Sequence, residues 1–268
     1  MTDSSFANMT GEQIRRLCRD GTFTGPTAGV AHGFAQANLV ILPQESARDF
    51  RRFCELNPKP CPLIEVTEPG VFEPRKAAPA ADLRTDLPRY RVYRDGVCTE
   101  RPTSILSHCE QASSSVEGPL ISFLIGCSFT FESSLLAAGI PVRHIEEQCN
   151  VSMYRTNVAC RSAGAFEAPL VVSMRPMTPQ QADLARRITQ PLSNTHGGPI
   201  QIGNADAIGI HDLAKPDYGD PVTIHADEIP VFWACGVTPI EAILRAKPTV
   251  ALTHEPGHMF VTDLAVDI

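Results

Sequence analysis

Short apolar runs recur along the chain, each closed by glycine, proline or a polar cluster. Ile121 to Ile125 and Ile229 to Ala234 are too short for helices of their own and fit buried strands. Leu39 to Leu42, Leu63 to Val66, Leu170 to Met174 and Thr249 to Leu252 predict further strands. Val142 to Ile145, Ile200 to Ile202 and Ile208 to Ile210 are read as short ones, and Val151 to Val158 as a half-buried one. Tyr90 to Arg94 and Val97 to Thr99, joined by Asp95-Gly96, predict a hairpin with a type I′ turn. Helical spacing appears after the capping boxes Thr10-Gly-Glu-Gln13 and Thr178-Pro-Gln-Gln181. It appears again over Gln44 to Glu55, with Phe50, Phe53 and Cys54 inward, and in a helix-like stretch from Val30 to Asn38. Glu110 to Glu117, with its serines, reads as the most loop-like segment.

One arrangement occurs twice. The run ending at Ile125 meets Gly126-Cys127, and a helix capped by Ser128 or Thr130 follows through Glu132 to Ala138. The run ending at Ala234 meets Cys235-Gly236, and a second helix follows with Thr238 at the N-cap, Pro239 at N1 and Glu241 at N3. Each thiol therefore sits where a strand turns into a helix. Free N–H groups there favour anions and are able to depress a cysteine pKa. Burial of both cysteines as simple packing residues is the competing reading. The repetition suggests a duplication or two walls of one cleft.

The resulting fold class is α/β. A mixed-sheet layered main domain is expected from residues 1–146 plus 228–268, carrying both Cys turns in its larger sheet. Residues 147–227 are expected as an inserted, smaller two-layer α+β domain.

At 268 residues the chain is long enough to bury a large core. Its formal charge of −7, from 23 basic and 30 acidic residues, argues against nucleic acid and anionic membranes as partners. An anionic substrate then needs local arginines. Nine cysteines without a C-x-x-C pair, and a polar start, suit a reducing cytoplasm. No apolar run approaches the roughly 18 residues of a membrane span.

His254-Glu255-Pro-Gly-His258 matches H-E-x-x-H by letter, but Pro256-Gly257 breaks the helix that a zinc site requires. No metal is expected, although a turn with two imidazoles suits proton transfer. Arg143, Arg155 and Arg175 lie near strand ends, where a guanidinium grips a carboxylate with two parallel donors. Asp82, Arg84 and Asp86 read equally as an ion-pair loop or as the wall of a site. No nucleotide or other cofactor motif is present.

These residues carry a resemblance. Gly25-Pro-Thr-Ala-Gly29, Gln36-Ala-Asn38-Leu-Val-Ile-Leu-Pro43, Asn57-Pro-Lys-Pro-Cys61-Pro62 and Asp82-x-Arg84-Thr-Asp86-x-Pro88 resemble the D-glutamate cyclase family of hydro-lyases. So do Leu124-Ile-Gly-Cys-Ser-Phe-Thr-Phe-Glu132, Met153-Tyr-Arg-Thr-Asn157, Val231-Phe-Trp-Ala-Cys-Gly-Val-Thr-Pro239 and Pro256-Gly-His-Met-Phe-Val-Thr-Asp263. The resemblance spans nearly the whole chain and implies a cytoplasmic lyase with a two-domain α/β fold. Its model reaction is D-glutamate to 5-oxo-D-proline plus water. Cys127, His144, Cys235 and His258 are the candidate catalytic residues. Ser128, Arg155, Asn157, Arg175 and Thr238 are the candidates for holding a small anionic amino or keto acid. Self-association into a homo-oligomer is left open. The rival readings are a cofactor-independent racemase or epimerase with the two cysteines as acid and base, and a non-catalytic amino-acid-binding protein.

Overall fold

The computed structural model describes residues 6–113 and 118–266. Eleven strands form two separate sheets, with seven α-helices among the described residues. The α/β class is as expected. Every pairing is antiparallel, however, so neither sheet is mixed.

The larger sheet is built on β1 (Phe34–Pro43), buried along nearly its whole length. It pairs on one side with β5 (Leu120–Gly126), Leu39 facing Leu124. Its other edge is shared end to end by β10 (Ala251–His254) and β11 (Phe260–Ala265). β2 (Leu63–Val66) and the hairpin β3 (Tyr90–Arg94) and β4 (Val97–Glu100) complete the seven strands. Asp95 and Gly96 both have positive φ, as the hairpin turn requires. The helix expected over Val30 to Asn38 is instead a turn as far as Gly33, followed by the first half of β1. Its apolar run simply continues to Pro43, and strand pairing on both sides overrides local spacing. β11 went unpredicted because Thr262 and Asp263 interrupt its apolar pattern.

The smaller sheet runs β6-β7-β9-β8, from β6 (Met153–Ala159), β7 (Pro169–Met177), β9 (Ile229–Ala234) and β8 (Gln201–Ile202). Both Cys turns were expected on the larger sheet. β5 leads to Cys127 from the larger sheet, but β9 leads to Cys235 from the smaller one. The turns still meet, because Cys127 and Cys235 share one core with Val40, Phe123, Val171, Val237 and Ile240. Two-residue side-chain periodicity puts Val40 and Leu42 into that core, while Leu39 and Ile41 pack into another on the opposite face.

Three local expectations also change. Arg143–Glu146 is a short helix, α5, rather than a strand. Ile208 ends a 3₁₀ turn instead of opening a strand. Glu110 to Ser113 belong to helix α3 (Leu106–Ser113), and the rest of that loop-like segment lies outside the described residues. The capping boxes at Thr10 and Thr178 form as predicted, opening α1 (Gly11–Arg19) and α6 (Pro179–Thr189).

Candidate active site

The two Cys turns repeat the same bonds. Cys127 N–H donates to the Gln36 carbonyl at 3.1 Å, and Cys235 N–H donates to the Val171 carbonyl at 3.0 Å. Three residues after each cysteine stands a threonine. Thr130 Oγ1 accepts from Gln36 N–H and donates to the same residue's carbonyl, at 3.0 and 3.4 Å. Thr238 Oγ1 does this with Val171, at 3.0 and 3.3 Å. A Cys-x-x-Thr turn thus clasps the neighbouring antiparallel strand in both sheets. Thr238 lies inside its helix, α7 (Thr238–Ala246), and forms no capping box, because its hydroxyl is committed to Val171. Ser128 stands at the N-cap of α4 (Phe129–Ala137) but makes no cap bond.

The two units are also crossed. Asn38, from β1, donates to the Gly126 carbonyl at 2.9 Å and reaches across to the second turn. A Cβ on Gly236 would lie 2.1 Å from its amide nitrogen, so glycine is needed for that approach. In return Arg175, from β7, donates through Nη2 to Ser128 Oγ at 3.1 Å in the first turn.

Arg175 is the centre of a buried polar cluster. Its side chain is 0% exposed. Nε and Nη2 both bond Glu132 Oε1, Nη1 bonds Ser173 Oγ at 3.0 Å, and the guanidinium lies over the rings of Phe131 and Trp233. His144 Nε2 approaches the same Glu132 oxygen to 3.2 Å, and its ring stacks on Phe129. Burial pushes the Glu132 carboxyl up, but His144 and Arg175 outweigh it and hold it below its ordinary range. Glu132 Oε2 has no hydrogen-bond partner.

Neither thiol is activated. Burial pushes Cys127 well above the usual thiol range, despite a hydrogen bond from Phe129 N–H. It pushes Cys235 up to about 11, despite one from Val237 N–H. The depression expected from the helix ends does not appear, because desolvation of the thiolate is the larger effect here.

The remaining candidates lie elsewhere. Arg155 is paired with Asp217 at 2.8 Å and Glu241 at 2.7 Å and stacks on Tyr218. Asn157 is exposed on β6 and packs beside Gly209. His258 occupies the turn between β10 and β11, where its Nδ1 is 3.1 Å from the Pro256 carbonyl. Its charged neighbours are Glu255, Arg89 and Arg91 rather than Arg175 or Glu132. His254 ends β10, Gly257 follows at φ +85°, and no helix carries the H-E-x-x-H letters. Among the described residues, no three His, Cys, Asp or Glu side chains are grouped to hold a metal.

Sequence reasoning passed over Glu132, Ser173 and Lys59 as site residues, and His196 altogether. His196 is 1% exposed and left-handed, with φ 78°, a conformation that non-glycine residues adopt at a cost. Its Nδ1 lies 2.9 Å from the Lys59 carbonyl. A carbonyl only accepts, so Nδ1 carries the proton and Nε2 holds a lone pair. Nε2 has no hydrogen-bond partner. Burial lowers this imidazole's pKa to about 4, with Lys59 and Arg175 adding to the effect. The Gly-Gly pair after His196, which allows such a tight loop, is the signal in the sequence.

His196 and His254 make stability fall in mild acid. Both are held at about 4 against 6.5 for an ordinary histidine, mainly by burial. Between about 6.5 and 4 the unfolded chain binds protons that the folded chain refuses, so stability drops as pH falls through that window. Each group contributes on the order of a few kcal/mol. Thermal midpoints measured from pH 7 to pH 4 check this, and a flat profile down to pH 4.5 contradicts it.

The fold and site define an α/β protein with a buried Arg175–Glu132 pair beside two clasped Cys turns. The sequence profile of the family described as D-glutamate cyclase matches residues 121–263. Curated relatives with provisional hydro-lyase names match almost end to end. One from Geobacillus kaustophilus is 53% identical, covering 96% of this chain and 95% of its own. One from Bacillus subtilis is 51% identical over 96% and 97%. One from Stutzerimonas stutzeri is 50% identical over 98% and 97%. The chain belongs to the D-glutamate cyclase family. Among solved structures, a nitrogen repressor-like protein from Methanococcus jannaschii aligns with 93% of this chain and 94% of its own, at 10% identity and a TM-score of 0.39. That likeness carries no argument. Among the described residues no helix is long and apolar enough to cross a membrane.

Proposed function

We propose that the protein is a hydro-lyase acting on a small amino acid, with D-glutamate to 5-oxo-D-proline as its reaction. The supporting observation is the Arg175–Glu132–His144–Ser128 cluster. Burying such charges gains little stability over a packed apolar core, and perturbed groups of this kind concentrate where chemistry is done. In the reaction the α-nitrogen attacks the γ-carboxyl carbon, a C–N bond forms and a C–O bond breaks. The nitrogen gives up two protons, and the departing oxygen leaves with both as water. No oxidant or reductant is consumed. Negative charge grows on the carboxyl oxygens during attack, and the positive field of the start of α4 and of the buried Arg175 guanidinium favours it. Glu132 keeps that guanidinium oriented, and His144 stands against the same carboxylate.

The test is incubation of the protein with D-glutamate, L-glutamate and a panel of small amino and keto acids, following ring closure or water loss by chiral chromatography. Ring closure with D-glutamate is the expected outcome, and no turnover with any member would sink the reading. The racemase alternative needs two ionisable thiols, which burial opposes. Cys127→Ser and Cys235→Ser should therefore each retain activity within a few-fold. Abolition by either one favours the racemase.

A further inference from the structure

Beside the first Cys turn lie two cavities, of about 440 and 470 Å³, whose walls share Leu63, Ser193 and Asn194. They adjoin there and form one trough between the start of β2 and the loop 191–198. The first is walled by Lys59, Gln190 and the Gly197–Gly198 backbone. The second is walled largely by apolar groups, among them Ile64, Leu192, Leu264 and Val266. No Asp or Glu lines either cavity, although the chain carries a formal charge of −7.

Lys59 is the fixed cation of the trough. Its Nζ donates to the Gly198 carbonyl at 2.7 Å, and a Cβ on Gly197 would lie 3.7 Å from it. The ammonium therefore stands on the wall that these two glycines give the first cavity. Among the described residues it is in no ion pair, and a single acceptor leaves two of its three donors unused. Burial lowers its pKa, the mark of an ammonium that has lost water without gaining an anion. The Ser193 hydroxyl and the Asn194 side-chain amide, on both walls, make no hydrogen bond among the described residues. Lys76, exposed on the wall of the second cavity, adds to the positive field. A carboxylate suits the first cavity, and the row Leu63, Leu192 and Leu264 suits hydrocarbon attached to it.

We propose that this trough binds a medium-chain acyl carboxylate, its head on Lys59 and its hydrocarbon chain along Leu63, Leu192 and Leu264. The site is separate from the Arg175 cluster and does not rest on the hydro-lyase reading above. It touches the same turn, because Thr130 lines the second cavity and a Cβ on Gly126 would lie 1.8 Å from the Asn194 carbonyl oxygen. An acyl chain between Leu63 and the loop 191–195 therefore bears on the clasp of the first Cys turn.

Calorimetric titration of the full chain with butanoate, hexanoate and octanoate tests this, with glutarate and hexanamide for comparison. Affinity should rise about 4-fold with each added CH₂, the gain that burying a methylene gives. Hexanamide, which keeps the chain and lacks the charge, should bind at least 10-fold more weakly than hexanoate. Lys59→Met should weaken octanoate at least 10-fold, and Lys59→Arg, which keeps the charge, should hold it within 3-fold. In protein labelled at leucine and threonine methyls, octanoate should move the signals of Leu63, Leu192, Leu264 and Thr130. Octanoate that binds with those signals unmoved, or equally well to the Lys59→Met protein, overturns the trough as the site. Glutarate binding as tightly as octanoate, or an affinity indifferent to chain length, overturns the apolar body of the ligand. No binding of octanoate at millimolar concentration overturns the proposal as a whole.

Discussion

Replacing Glu132 with alanine should lower stability by about 3–5 kcal/mol, because it strands the Arg175 guanidinium without its counter-charge in a fully buried place. For a chain of this size that is a fall in Tm of roughly 6–20 °C. Arg175→Met should cost a similar amount, since Glu132 would keep only its contact with His144. The pair Glu132→Met with Arg175→Met should recover much of the loss, as two apolar side chains of similar volume need no partner. Thermal unfolding of the two single variants and the double closes the cycle. Additive losses would mean that the two charges do not depend on one another.

Gly126→Ala should be a severely damaging single methyl group. The new carbon would sit 1.8 Å from a backbone oxygen of Asn194, and backbone cannot swing aside as a side-chain tip does. Either β5 or the loop carrying Asn194 and His196 has to move. The expected result is loss of ligand binding and of turnover together with a clear drop in Tm. Gly25→Ala, with no atom within 4 Å of its Cβ and, like Gly126, no positive φ, serves as the control for an added methyl group without a clash. A Gly126→Ala protein that binds and turns over normally would show that the loop is free to shift without consequence.

The strands and helices that could be read from the sequence were those whose local signal matched their surroundings. Gln44 to Glu55 and Leu63 to Val66 fall almost where spacing puts them, and Asp95-Gly96 makes its turn. What failed was decided at a distance. Val30 to Asn38 looks helical until β5 and β11 pair with its second half. The sheet to which β9 belongs is fixed by its register with β7, Val172 against Ala234, and nothing in Ile229 to Ala234 records that partner. The same holds for the site. Cys127, Ser128, His144, Arg175 and Cys235 do come together. Arg155 and His258 are drawn into ion pairs and polar clusters of their own. Glu132 could be read only as a helix residue, because its value lies in meeting Arg175, 43 positions away. The matching Cys-x-x-Thr spacing at Cys127 and Cys235 was open to inspection, and it would have shown that both hydroxyls are used on strands.

The crossed contacts have a mechanical meaning. Asn38 reaches from the larger sheet to the turn of the smaller one, and Arg175 reaches back to Ser128. Sliding one sheet past the other by even half a residue would pull both latches at once, so shear between the sheets is felt first at the cluster. A change in the shared core far from the cluster, such as a cavity cut at Phe50 or Ile240, would therefore act on Arg175 by altering the spacing of two plates, with no need to touch any residue around it.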